Sequence, residues 1–275
     1  MFKTIVFNGG LGNQMFQYAF YLQLKKIYPI DIFLFDIEQS QGCHNGFELD
    51  KIFHTESLKN ARNYRRIKRR CPWLLNQFQP TIQEHSYEYD KAYLKTSHLL
   101  VRYEGYWQSE KYFSPIKQDI QRSFSFRMDL LNNETQNIAR EIIGKETISV
   151  HIRRGDYLPL PHFCKCSIDY YKRAMSYMTE NLNSTTFLFF SDDINWVKEN
   201  IPCTSAIYVS CNHDSDSWQD MYLMTQCKHN IIANSTFSWW GAWLNKNPNK
   251  KVIAPARWLN DSPLYDVIPQ GWITL

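Results

Sequence analysis

Two arginines stand directly behind an apolar, strand-like run. Residues 147–152 read TISVHI, and residues 151–157 read HIRRGDY. Alternate side chains of a strand share a face, so His151 and Arg153 point one way and Ile152 the other. A guanidinium keeps its proton in a protein and is not buried without an anionic partner. Its rigid fork of donors matches phosphate oxygens. In parallel sheets ligands bind beyond the carboxyl ends of strands, which is where Arg153 falls. The competing reading is an internal ion pair with Asp156. The RGD triplet itself carries no weight.

Three other stretches bear on the same chemistry. FNGGLGNQMFQY, residues 7–18, is a glycine-rich turn between a strand and a helix, where backbone amides can approach an anion. Its spacing matches neither the dinucleotide fingerprint nor a P-loop, and a tight turn built on left-handed glycines is the alternative. IIANSTFSWWGAWLN, residues 231–245, ends a strand and opens a helix at Asn234, Ser235 and Thr236. Hydroxyls and amides there suit either a helix cap or a phosphate, and the tryptophans 239, 240 and 243 are spaced as packing residues. FSDD, residues 190–193, puts two acids at a strand end, either to cap the next helix or to accept the N–H groups of a guanine edge.

Two motifs point elsewhere. Asp214-Ser215-Asp216 matches the D-x-D string of metal-dependent nucleotide-sugar enzymes, but it precedes an amphipathic helix and reads as a helix cap. No cluster of ligands with metal spacing accompanies it. Residues 62–70 hold Arg62, Arg65, Arg66, Lys68, Arg69 and Arg70. They form either a solvated helix face or a surface drawn to an anionic membrane or a pyrophosphate-linked lipid substrate.

These motifs need a framework to hold them. Thr4–Phe7, Gln14–Tyr28 and Asp31–Phe35 read as strand, helix and strand. Residues 39–112 are irregular by pattern. Helices are expected over Leu130–Ile143, Tyr170–Asn181 and Trp218–Cys227, and from Ser235 onward. Strands are expected at Thr147–Ile152, Thr186–Phe190, Ser205–Ser210, Asn230–Ala233 and Lys251–Ala254. The alternation predicts a parallel α/β sheet in the second half, with a domain joint near Gly144. The 275 residues suffice for about two domains. The net charge of +4 comes from mixed signs along most of the chain and does not imply nucleic acid. Seven scattered cysteines read as reduced thiols. With no apolar run of membrane-spanning length and no leader pattern, a cytoplasmic protein is expected.

Taken in order, GGLGNQMFQYAF, FELDKIF, GYWQSEKYF, HIRRGDY, FFSDD and CKHNIIANSTFSWWGAWLN resemble the α-1,2-fucosyltransferases of glycosyltransferase family 11 over nearly the whole chain. The resemblance implies an α/β, GT-B-like fold of two Rossmann-like domains facing a cleft. Residues 1–144 would bind a galactoside acceptor and 145–275 would bind GDP-β-L-fucose. It implies inversion at the anomeric carbon with no metal and no cofactor beyond the donor. Arg153 would hold the β-phosphate, with His151 against the nucleotide. Asn234, Ser235, Thr236 and Phe237 would form a phosphate-binding turn, and Asp192 or Asp193 would take guanine or ribose. Gly10, Gly12 and Asn13 would reach the phosphates from the other domain.

For the acceptor hydroxyl's proton, Asp156 is the nearest base by sequence and His151 a weaker one; a donor phosphate oxygen is the third route. Tyr106 and Trp107 would stack on acceptor sugars or pack between domains. The expected setting is a bacterial cytoplasm, at or near the inner membrane face through the 62–70 run. The expected role is decoration of O-antigen or capsule precursors, lipid-linked ones included. The rival readings are a carbohydrate- or nucleotide-binding protein without turnover, and a transferase of another nucleotide sugar.

Overall fold

The computed structural model describes the chain except residues 38–44, 56–60, 156–165, 183–184 and 260–265, and omits the side chains of 61–63, 67, 74 and 76. It divides into two compact units. Unit 1 is Met1–Arg127 with Tyr265–Val267, and unit 2 is Met128–Leu264 with Ile268–Leu275.

Unit 1 carries β1 (Phe2–Phe7), α1 (Leu11–Ile27), β2 (Ile32–Ile37), α2 (Leu49–Ile52), α3 (Ala61–Arg70), α4 (Pro72–Phe78), β3 (Thr81–Gln83), β4 (Leu100–Glu104) and α5 (Lys117–Ser123). Its sheet runs β2-β1-β4-β3, all parallel. The expected strand, helix and strand at the start are present. The stretch expected to be irregular instead supplies β3 and the interior strand β4. Val101 and Tyr103 of β4 are buried and Leu100, Arg102 and Glu104 half-buried, an alternation over five residues only. Arg102 turns inward to Asp36 and the Tyr64 hydroxyl, and this pairing holds its pKa above the ordinary guanidinium value.

Unit 2 carries α6 (Asn133–Ile142), β5 (Thr147–Ile152), α7 (Ile168–Asn181), β6 (Thr186–Ser191), α8 (Ile194–Asn200), β7 (Ala206–Tyr208), α9 (Trp218–Gln226), β8 (His229–Ile231), α10 (Thr236–Leu244), β9 (Val252–Ala254) and β10 (Ile273–Thr274). Six parallel strands lie in the order β10-β9-β8-β5-β6-β7. Ile148, Val150 and Ile152 of β5 enter a core shared with Tyr170, Tyr171, Ala174 and Met178 of α7. Burying such side chains contributes about 1.5–3 kcal/mol each. The joint expected at Gly144 lies earlier, between Arg127 and Met128. Gly144 does make a left-handed turn, at φ +78°, but as the exit of α6. That helix belongs to unit 2, because Asn132 at its start accepts from Thr135 N and bonds Gln219 and Asn212.

Candidate active site

The strand order of unit 2 changes direction at β5. The chain goes from β5 to β6 on one side, while β8 lies on the other. Such a switch leaves a crevice outside the carboxyl ends of the two strands. Val150 pairs with Ile231, so the segments leaving β5 and β8 emerge side by side. One carries His151 and Arg153; the other runs through Ala233 and Asn234 into α10. The two meet where the His151 ring lies 5.8 Å from the Phe237 ring.

α10 is fastened from behind. The Lys250 ammonium donates to the carbonyls of Ala242, Trp243 and Asn245, placing a cation on the helix's negative end. Trp239, Trp240 and Trp243 are buried and pack the helix down, as their spacing predicts. At its front, Ser235 occupies the cap position without a side-chain cap bond. The expected capping role is therefore absent, and the first-turn amides receive no partner from that hydroxyl. Asn234 Nδ2 donates to Trp258 O at 2.8 Å.

The turn after β5 is built around Asp192. Its Oδ1 accepts from Arg154 N at 2.9 Å and its Oδ2 from Gly155 N at 2.9 Å. A Cβ on Gly155 would stand 2.9 Å from Asp192 Oδ2, so only glycine leaves room for this cradle. Arg153 Nη1 lies 3.4 Å from the same Oδ2. Arg153 therefore has an internal partner, Asp192; the Asp156 proposed from sequence falls outside the described residues. The contact is long for a charge-assisted hydrogen bond, and Arg153 remains 30% exposed. Arg154 is placed differently. Its guanidinium lies 3.5 Å from the centre of the Trp196 ring, with Asp193 Oδ2 3.4 Å from Nε. Asp193 also caps α8 by accepting from Trp196 N. The helix-capping reading of FSDD thus holds for Asp193, and Asp192 is bound into the β5 turn.

His151 is buried, and its Nδ1 has no hydrogen-bond partner. Burial, and then the charge of Arg153, push its pKa down to about 3. A ring so reluctant to take a proton makes a poor general base.

Unit 1 repeats the geometry with different chemistry. Its switch falls between β1 and β4. Gly9 takes φ +73°, while Gly10 is ordinary extended backbone at φ −75° and caps α1, and Gly12 lies buried within that helix. The left-handed glycine is thus the one sequence reasoning did not single out. A Cβ on Gly9 would stand 2.7 Å from Asn13 Nδ2. Gln108 Nε2 donates to Asn13 Oδ1 at 3.0 Å. Gln17 ties the strand ends together, donating to Asn8 Oδ1 and Gly105 O. Trp107 is fully buried inside unit 1, stacked on Phe20 at 4.2 Å. That replaces both expected roles, sugar stacking and interdomain packing.

The family model described as "Glycosyl transferase family 11" matches residues 1–275. The chain belongs to glycosyl transferase family 11. Among its relatives is the O-antigen biosynthesis glycosyltransferase WbnK of Escherichia coli, 32% identical over 98% of this chain and 98% of that protein. An α-1,2-colitosyltransferase of Escherichia coli is 31% identical, covering 97% and 96%. The human galactoside α-(1,2)-fucosyltransferase 1 is 27% identical over 88% of this chain and 65% of its own length. In fold, the chain resembles the NodZ α-1,6-fucosyltransferase soaked with GDP-fucose, at a TM-score of 0.56 and 14% identity over 88% of this chain and 92% of that one. The fold is α/β and GT-B-like, and the protein is a glycosyltransferase.

The remaining motifs of this family 11 chain resolve as follows. Asp214–Asp216 forms a single 3-10 turn with backbone bonds, and the cap position of α9 falls to Ser217, which makes no side-chain cap bond. The basic run forms α3. No described helix is long and apolar enough to cross a membrane. Three residues escaped sequence reasoning: Gly9, Gln108 and Gly155. Their only signals were a doubled glycine, a glutamine inside GYWQ, and a glycine following two arginines.

Proposed function

We propose that the chain transfers L-fucose from GDP-β-L-fucose to the 2-hydroxyl of a terminal β-galactoside, with inversion and without a metal, in O-antigen or capsule synthesis. The observation that carries this is the β5/β8 switch, where the segment bearing His151 and Arg153 leaves the sheet beside the segment that enters α10. As the bond from sugar to phosphate breaks, negative charge grows on the leaving diphosphate. Fixed donors already aimed there stabilise that charge in the transition state. Arg153 supplies the cation, and the Thr236 and Phe237 amides supply the helix end. A diphosphate oxygen competes with Asp192 for the guanidinium, so the ion pair serves as the resting partner. His151, neutral and buried, lies against the nucleotide without exchanging protons. Asn13 is the phosphate donor assigned in unit 1. Asp156 is the assigned proton acceptor for the attacking hydroxyl.

The α-1,2 linkage in the names of two of the relatives supports the position attacked, and WbnK supports the setting. The colitosyltransferase favours a second reading, in which the donor is GDP-colitose, a sugar lacking one hydroxyl of fucose. Incubation with GDP-fucose or GDP-colitose, a panel of β-galactosides and EDTA tests both. Fucosylated product in EDTA is expected. Transfer from GDP-colitose alone selects the second reading. Glycan binding without GDP release in any combination overturns both.

A further inference from the structure

The strongest unassigned feature is the exposed face of α3. The helix packs on β2 through Tyr64, which is 2% exposed and clusters with Leu34 and Leu75. At about 100° per residue, Arg65, Arg66, Arg69 and Arg70 fall within an arc of roughly 140° centred opposite Tyr64. All four are exposed, as is Lys68, which reaches Asp36. Residues 61–78 contain no Asp or Glu. The chain's formal charge of +4 becomes −2 when the six basic residues of 62–70 are set aside. The positive excess of the whole protein therefore sits on one helix.

The next helix adds a second property. Trp73 of α4 is 61% exposed and Phe78 is 53% exposed, while Leu75 of the same helix is buried. An indole at an exposed helix position suits the boundary between polar and apolar phases. A cationic helix followed by exposed aromatics is the composition of an interfacial membrane surface. Binding of single-stranded nucleic acid interleaves aromatics among the cations as stacking platforms. Here no aromatic lies on the arginine arc, and the two properties occupy separate helices.

We propose that α3 and α4 form a docking surface for a bilayer rich in anionic phospholipid, the arginines meeting headgroups and Trp73 entering the interface. The inference stands independently of the donor and acceptor proposed above. Co-sedimentation of the full chain with vesicles tests it, comparing phosphatidylcholine alone with phosphatidylcholine mixed with phosphatidylglycerol. Binding is expected only to the mixed vesicles and is expected to weaken with added salt. Each basic residue near such a surface is worth about fivefold in partitioning. The pair Arg65→Gln/Arg69→Gln should therefore bind about 20- to 30-fold more weakly. Arg66→Gln/Arg70→Gln gives an independent reading of the same arc. Trp73→Ser should remove most of the binding that survives high salt. All variants should keep the parent's thermal unfolding, because these side chains are exposed. Equal binding to both vesicle types, parental binding by both arginine pairs, or preferential capture of an RNA oligonucleotide over mixed vesicles overturns the proposal.

Discussion

The two sheets end in opposite kinds of chemistry. At the β5/β8 switch of unit 2 the strand ends carry full charges: Arg153 and Arg154 against Asp192 and Asp193. At the β1/β4 switch of unit 1 the segments leaving β1 and β4 meet through amides, Asn8, Asn13, Gln17 and Gln108, with one carboxylate, Glu84, held by the Tyr106 and Trp107 backbone amides. Gly155 leaves room for a carboxylate, Asp192, as Gly105 does for Glu84 in unit 1, and Gly9 adds a left-handed backbone beside an amide. A charged site must be balanced while empty, and Asp192 does this for Arg153. An amide needs no counter-ion, but its orientation must be fixed, and Gln108 does this for Asn13. The contrast teaches that one topology can prepare a strong, competed contact in one unit and a weak, oriented one in the other.

The largest test of that contrast removes the cation. Arg153→Ala should lower kcat/KM about 10²- to 10³-fold, the usual loss for one transition-state donor. Arg153→Lys keeps the charge without the fork and should fall between. Asn13→Ala removes a neutral donor and should cost only about tenfold. Circular dichroism verifies that each variant is folded. Comparable losses for Asn13→Ala and Arg153→Ala would erase the distinction between the two strand ends.

Acid titration of unit 2 is the next largest effect. His151 is neutral in the folded chain, with its pKa pushed down to about 3 by burial and by Arg153. The unfolded chain binds a proton there below about 6.5. Stability from this residue is present above that value and is lost as pH falls toward 3. The size is on the order of 2–3 kcal/mol. Asp220 acts in the opposite sense. Burial raises its carboxyl to about 7 against one hydrogen bond from Asn212. Its contribution is present below the unfolded pKa and lost as pH rises through about 7. Urea midpoints measured between pH 4 and pH 7 separate the two. His151→Gln should flatten the acid loss, and Asp220→Asn should steepen it. Identical slopes for parent and His151→Gln would remove the buried neutral ring from the account of this site.

Much of the second half was legible in the sequence because its longer strands are rich in β-branched and aromatic residues. TISVHI and TFLFFS fill the sheet interior, so composition alone marks them. The strand-end position of HIRRG followed from that. β4 was missed because LVRYE is short and carries two charges, of which Arg102 finds Asp36 and Tyr64, partners distant in sequence. The Asp192 cradle could not be read either, since it joins residues 37 and 38 positions apart. Gly9 and Gly10 look alike as letters, and only the backbone angle separates them. The sequence leaves Trp107 between sugar stacking and interdomain packing, because its actual neighbours Phe20, Tyr103 and Tyr112 come from three other segments.

That pair of glycines gives a smaller and cleaner test. Gly9→Ala puts a Cβ on a left-handed residue at φ +73°, at a cost of about 1–2 kcal/mol. The same Cβ meets Asn13 Nδ2, so activity should fall along with the unfolding midpoint. Gly10→Ala at φ −75° carries no such backbone penalty. Equal thermal midpoints for the two alanine variants would show that the turn tolerates either residue.

The smallest effect is the most specific to unit 1. Gln108 Nε2 donates to Asn13 Oδ1, which turns Asn13 Nδ2 to the Gly9 side as a donor. Gln108 is buried, and its Oε1 has no partner, so the side chain's one described bond is the one that orients Asn13. Gln108→Glu keeps the shape but can only accept when ionised. It would pull the Asn13 amide around and withdraw the outward N–H. Gln108→Ala merely releases Asn13 to rotate. The glutamate variant should therefore lose about three- to tenfold in kcat/KM, and the alanine variant less than threefold, although alanine removes more atoms. Thermal midpoints, measured alongside, separate lost orientation from lost packing. A larger loss for alanine than for glutamate would mean that Gln108 acts by filling space. The neutral strand end would then be held by packing, with no amide facing chosen for a ligand.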